Sequence, residues 1–273
     1  MRKRFILLID LSEHSSNLIK YAYQWSLQAK AQLLIVHQSI VQSPALADTE
    51  VKQQITAEAN EEALQKLKAL TREIMPHPES VQYHVSENDF QISLPQLLAE
   101  DYEDLIFVGL KGTSMLKKIF FGSYALQVIN STNNIVVAMP QEIDAYTHEK
   151  IFVAINEKHP INIQELNNFL EFIEDENTHL TFFHLAQADE DTSIIQAELD
   201  KLKNMYADRF NTTTAIYEGK NRLEDIKKVI NDKIDEILVV QRGSRLLTDK
   251  LFRRFLINDL VHEGQTPLVV LPN

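Results

Sequence analysis

The chain has no cysteine in 273 residues, so neither a disulfide framework nor thiolate chemistry is available, a usage that fits the cytoplasm. It has no apolar run approaching the ~20 residues of a membrane span, so a membrane is not expected as a partner. Basic residues are in deficit: 27 Lys and Arg stand against 39 Asp and Glu, a net charge of −12, and no segment forms a basic domain. Nucleic acid is excluded as a main partner, because such binding neutralises phosphates with clustered cations. Glycine is scarce as well. Of six in the chain, Gly109, Gly112 and Gly122 fall within VGLKGTSMLKKIFFGS, residues 108–123.

What is present is the balance of a globular protein, 44% hydrophobic and 24% charged. The length suits two domains of ~100–150 residues each. The opening MRKRFILLID resembles a targeting leader, but Asp10 breaks its apolar segment and no small-residue cleavage site follows, so it reads as a first strand, 4–10. Residues 12–30 have helical spacing, with Leu18, Ala22, Trp25 and Leu27 near one face and Ser12 as N-cap. Strand 31–39, helix 49–74 and strand 80–87 follow. A helix over about 89–101 contains Pro95, at an irregularity or in the first turn. Strand 104–109, helix 122–132 and strand 134–140 complete the set. Short apolar strands separated by helices imply a parallel sheet covered on both faces.

The order then returns. KIFVAIN (150–156), THLTFFHLA (178–186), TTAIYE (213–218), EILVVQ (236–241) and PLVVLP (267–272) echo the five strands. His184 stands where His37 stood, and Gly109 falls on Gln241, Phe120 on Phe252 and Pro140 on Pro272. This predicts an internal duplication with QEIDAYTHE (141–149) as linker, and two domains, 1–142 and 147–273.

Gly109 ends a strand, Gly112 follows after two residues, and Gly122-Ser123 opens a helix nine residues later. A glycine at a strand tip lets a ligand touch the main chain, and a second permits a positive φ. The third presents free N–H groups at a helix N-terminus, where the macrodipole favours anions. The spacing is neither a Walker A loop nor a dinucleotide fingerprint. G-x2-G-x9-G-[S/T] after a fourth strand, with Asp10 ending the first, resembles the universal stress protein family; the whole chain resembles its tandem members.

The resemblance implies α/β architecture: two tandem doubly wound parallel five-stranded sheets of order 3-2-1-4-5, adenine nucleotide alpha hydrolase-like and related by a pseudo-two-fold axis. ATP would lie between strands 1 and 4, the switch point of such a sheet. Asp10 would lie beside the nucleoside and contact a Mg²⁺ ion brought with it. Gly109 and Gly112 would face ribose and phosphates, and Gly122 and Ser123 would hold the phosphate tail. The residue after His37 packs near the base in that family and is small and apolar; Gln38 departs from this. The fifth strands would pair within one chain, as in the family's homodimers, and two chains would pair further.

In the second copy Asn156, Gln241, Ser244, Arg254 and Phe255 replace Asp10, Gly109, Gly112, Gly122 and Ser123, and Gly243 is displaced by one residue. Arg254 and Phe255 would fill the phosphate space. Other readings stay open: the glycines as turn chemistry, Asp10 as a cap before Ser12, Lys117 and Lys118 as a solvated pair, and 242–254 as a solvated basic face. His37 and His184 read as packing features, and the histidines form no ligand set. No Ser-His-Asp arrangement has local support. The expectation is a cytoplasmic nucleotide-responsive stress protein with at most slow hydrolysis, since no base or water-positioning group accompanies the phosphate grip. The alternative is an interaction protein with a vestigial pocket.

Overall fold

A computed structural model describes residues 2–41, 44, 48–110, 123–173, 176–186, 190–218, 236–243 and 266–273. The N-terminal half contains β1 (Arg2–Leu8), α1 (Ser15–Ala29), β2 (Gln32–Gln38), α2 (Thr49–Ile74), β3 (Val81–Ser86), α3 (Phe90–Leu98), β4 (Tyr102–Gly109), α4 (Ser123–Ser131) and β5 (Ile135–Met139). The C-terminal half contains β6 (Lys150–Ala154), α5 (Ile163–Leu170), β7 (His179–Ala186), α6 (Ser193–Tyr206), β8 (Asn211–Glu218), β9 (Ile237–Gln241) and β10 (Leu268–Leu271).

The strands run β3-β2-β1-β4-β5-β10-β9-β6-β7-β8 in one sheet. Both halves therefore show the order 3-2-1-4-5, and every neighbouring pair within a half is parallel. The single antiparallel junction joins β5 to β10, with Val137 opposite Val269. Two five-stranded sheets thus merge through their last strands into one.

The continuous apolar runs are explained by burial on both faces. Along β1, Phe5 and Leu7 enter one core and Ile6 and Leu8 the other; β4 divides Leu105 and Phe107 from Ile106 and Val108. Successive strand side chains point to opposite faces, so both sets must be apolar. The first core runs unbroken into the C-terminal half through Val137, Val239, Phe169 and Phe172. Trp25 is fully buried at that boundary. It stacks on Tyr146 at 4.8 Å, meets Phe169 edge-on, and donates from Nε1 to the Phe172 carbonyl at 2.8 Å. The segment read as a linker is therefore packed: Tyr146 is buried and its N–H donates to Gln24 Oε1.

Three local expectations change. Leu27 is 61% exposed, because it lies two residues beyond Trp25 and so ~200° round the helix from it. Ser12 does not cap α1; His14 occupies the cap position, and the Ser12 N–H is instead taken by Asp10. Pro95 sits inside α3, past its first turn, and the helix stops three residues later.

Candidate functional site

β1 lies between β2 and β4, and the chain leaves it in opposite directions on its two sides, so a crevice opens at the strand tips. The register Leu8 opposite Val108 brings Ile9 and Asp10 beside Gly109 and Leu110. The crevice encloses about 300 Å³ between these tips, the entry to α1, the start of α4 and the segment Met139–Gln141.

Asp10 is exposed on the wall. Its Oδ1 accepts from the Ser12 N–H at 3.0 Å and from Ser15 Oγ at 3.1 Å, a side-chain turn that fixes the loop. Leu11 follows with φ +57°, a left-handed conformation uncommon for a branched side chain. His37 Nδ1 contacts the Ile9 carbonyl at 2.7 Å and ties β2 to this strand tip.

Gly109 stands at the end of β4 without a positive φ. A Cβ added there would meet Leu18 Cδ1 at 3.6 Å, ordinary van der Waals contact. Neither backbone conformation nor immediate crowding demands glycine; what it preserves is the open space beyond. Tyr124 lines the same space from α4, with its ring edge-on to Phe90 at 4.7 Å. Burial, then the acidic groups of Asp89 and Asp10, push its phenol upward, so it stays a neutral donor.

Of the residues predicted from sequence, Asp10 and Gly109 are brought together. Gln38 stands at the end of β2, exposed, its Nε2 donating to the Glu87 carbonyl at 3.3 Å, and does not line this crevice. Ser123 begins α4. Gly112, Gly122, Lys117 and Lys118, and in the second half Ser244, Arg254 and Phe255, lie outside the described residues. Sequence reasoning did not single out Tyr124, His14 or Met139–Gln141. Tyr124 adjoins the Gly122-Ser123 pair and was discoverable; the others reach the crevice only through the fold.

The C-terminal half differs at the equivalent place. Gly109 pairs with Met139, and Gln241 pairs with Leu271, which fixes the equivalence. Asn156 repeats the turn of Asp10, accepting the Lys158 N–H at 2.9 Å, but without the charge. Gln241 is buried at 4% exposure and fills its side of the strand junction. A separate hollow of about 680 Å³ lies between Ile155–Glu157 and α6, away from β9. Among the described residues, no group of three His, Cys, Asp or Glu could hold a metal ion, and no helix is long and apolar enough to cross a membrane.

Residues 1–140 match the model of the universal stress protein family. The fold is similar to the crystal structure of a universal stress protein from Archaeoglobus fulgidus DSM 4304, with a TM-score of 0.68 and 17% identity over 100% of this chain and 99% of that one. It is also similar to a functionally unknown protein from Pseudomonas aeruginosa PAO1, with a TM-score of 0.58 and 15% identity over 99% and 93% of the two chains. No curated protein matches.

Proposed function

The chain belongs to the universal stress protein family, and on that premise we propose that its N-terminal half binds ATP or a related adenine nucleotide between β1 and β4, as a nucleotide-responsive regulatory or protective protein of the stress response. The observation that carries this reading is Gly109, a glycine that its own backbone does not require, holding open a crevice beside Asp10. The volume of about 300 Å³ is at the lower end of small-molecule pockets. It is contributed by described residues alone, and Gly112 and Gly122 continue the chain from the same strand tip into α4.

Asp10 offers one carboxylate to a Mg²⁺ ion arriving with the nucleotide; among the described residues no group of three His, Cys, Asp or Glu could hold a resident metal ion. Tyr124 supplies a neutral hydroxyl at the helix start. No described side chain on the crevice wall is placed as both base and water-holder, so the function proposed is binding, with hydrolysis slow at most. In the C-terminal half Gln241 occupies the position of Gly109, which supports a reading of that half as the silent partner.

Equilibrium binding of ATP to the native chain and to Gly122→Asp tests the proposal. A carboxylate placed among phosphates should abolish binding. Equal affinity of both proteins would show that the nucleotide does not lie on Gly122, and no binding in the native chain would leave an empty pocket and shift function to the surface.

A further inference from the structure

Resting on the reading of the N-terminal crevice as a ligand site, we propose that Gln241 is a built-in occupant of the C-terminal crevice, and that the groups it satisfies mark how the N-terminal crevice grips its ligand. The ligand would present a planar edge with adjacent acceptor and donor atoms, that of a primary carboxamide.

Gln241 makes a complete set of contacts. Its Oε1 accepts the backbone N–H of Asn162 at 2.8 Å. Its Nε2 donates to the Pro272 carbonyl at 2.7 Å, with the Leu271 carbonyl at 3.4 Å and Asn273 Oδ1 at 3.3 Å also within reach. A buried carboxamide must satisfy both its donor and its acceptor, and this one does.

Each contact has a counterpart in the N-terminal half. Asn162 is the cap residue of α5, as His14 is of α1. Leu271, Pro272 and Asn273 follow from the register onto Met139, Pro140 and Gln141. His14, Met139, Pro140 and Gln141 all line the open crevice, and Gly109 lines it where Gln241 is rooted. The residues that hold the Gln241 side chain in one half are thus the wall of the cavity in the other. Where glycine replaces glutamine, the Pro140 carbonyl and the His14 N–H have no internal carboxamide to pair with, while the Met139 and Gln141 carbonyls already accept from the Leu110 N–H and Asn17 Nδ2. The bonds of Asp10 and Asn156 to the N–H two residues on are alike, so the two loops begin from the same turn.

The test uses propionamide, which is the glutamine side chain cut at Cα, and the full-length chain. Ligand-detected NMR should find one weak site in the native protein, two in Gln241→Gly, and none in Gly109→Gln. Butanone has the same shape and a carbonyl but no N–H donor, and it should bind at least about tenfold more weakly, the factor that 1.4 kcal/mol provides. Gln241→Gly should also lower Tm by several degrees, with propionamide restoring part of the loss. Gly109→Gln should be at least as stable as Gly109→Leu, because only glutamine can pair with the Pro140 carbonyl.

Propionamide binding unchanged in Gly109→Gln, or butanone binding as well as propionamide, would overturn the proposal. ATP titrations of the same proteins separate the two claims. If ATP binds the native chain and the propionamide pattern fails, the nucleotide reading stands and the carboxamide grip falls. If the pattern holds and ATP does not bind, the grip stands and the ligand is another molecule with that edge.

Discussion

Nδ1 of His37 lies 2.7 Å from the carbonyl oxygen of Ile9, and Nδ1 of His184 lies 2.8 Å from that of Ile155. A carbonyl can only accept, so Nδ1 is the donor in both contacts, and in His184 the other ring nitrogen, Nε2, also faces an acceptor, Glu190 Oε1 at 3.0 Å. The relation fastens the second strand of each half to the tip of its first strand, one residue before Asp10 or Asn156. His37→Phe should leave the Ile9 carbonyl without this partner, at a cost of ~1 kcal/mol, and should weaken ATP binding by loosening Asp10. His184→Phe, at a fully buried site, should cost ~1–3 kcal/mol and leave ATP binding unchanged. Denaturant midpoints and binding isotherms of both variants check this; weakened nucleotide binding in His184→Phe alone would contradict it.

Asp10→Asn should separate the two roles of Asp10. Asn156 already makes the same turn without charge, so stability should stay within ~0.5 kcal/mol of native. ATP affinity with Mg²⁺ should nevertheless change, because the carboxylate is gone. Asp10→Ala should lose both the turn and the charge. Thermal melts and calorimetry on the pair distinguish these outcomes.

Arg4 is almost wholly buried, with Nε and Nη2 on the Asp104 carboxylate at 2.8 and 3.1 Å, Nη1 on Glu100 at 2.6 Å and Nη2 on the Leu97 carbonyl at 2.8 Å. Arg4→Met alone would leave Asp104 as a buried, unpaired carboxylate and should cost ~3–5 kcal/mol. Adding Asp104→Leu should recover a large part of that, since the uncompensated charge is removed with its partner. Urea unfolding of the single and double variants measures the coupling.

Trp25 is the chain's one tryptophan and sits where the two halves share a core. The halves should therefore unfold together. Urea transitions of the native chain followed by tryptophan fluorescence and by far-ultraviolet circular dichroism should coincide, and Trp25→Ala, which removes that fluorophore, should still unfold in one circular dichroism transition at a lower midpoint, at a cost of ~3–5 kcal/mol. Two separated transitions would show that the shared core does not couple the halves.

Much of the architecture was legible because parallel strands buried on both faces leave unbroken apolar runs. Helix 49–74 has in the structure the bounds read from the sequence, and the structure adds Asp48 as the cap of its start. The face of α1 was less legible: Leu27 is apolar but lies opposite Trp25 on the helix, and composition alone does not weigh phase. At the site, Asp10 and Gly109 were readable as a strand-end acid and a scarce glycine. The Gly109-to-Gln241 replacement was visible too, but its meaning was not. Only the fold shows that the Gln241 side chain reaches residues 30 positions away by chain, and that their counterparts wall an open space. Residues 141–149 read as a linker, yet Tyr146 stacks on Trp25, a contact set by tertiary packing and invisible to local pattern.

The most direct test of the account is the stoichiometry of ATP binding to the intact chain by titration calorimetry. One nucleotide per chain, lost in Gly122→Asp and unaffected by Gln241→Ala in its N-terminal site, is the predicted result. Two nucleotides per native chain, or none, would contradict it.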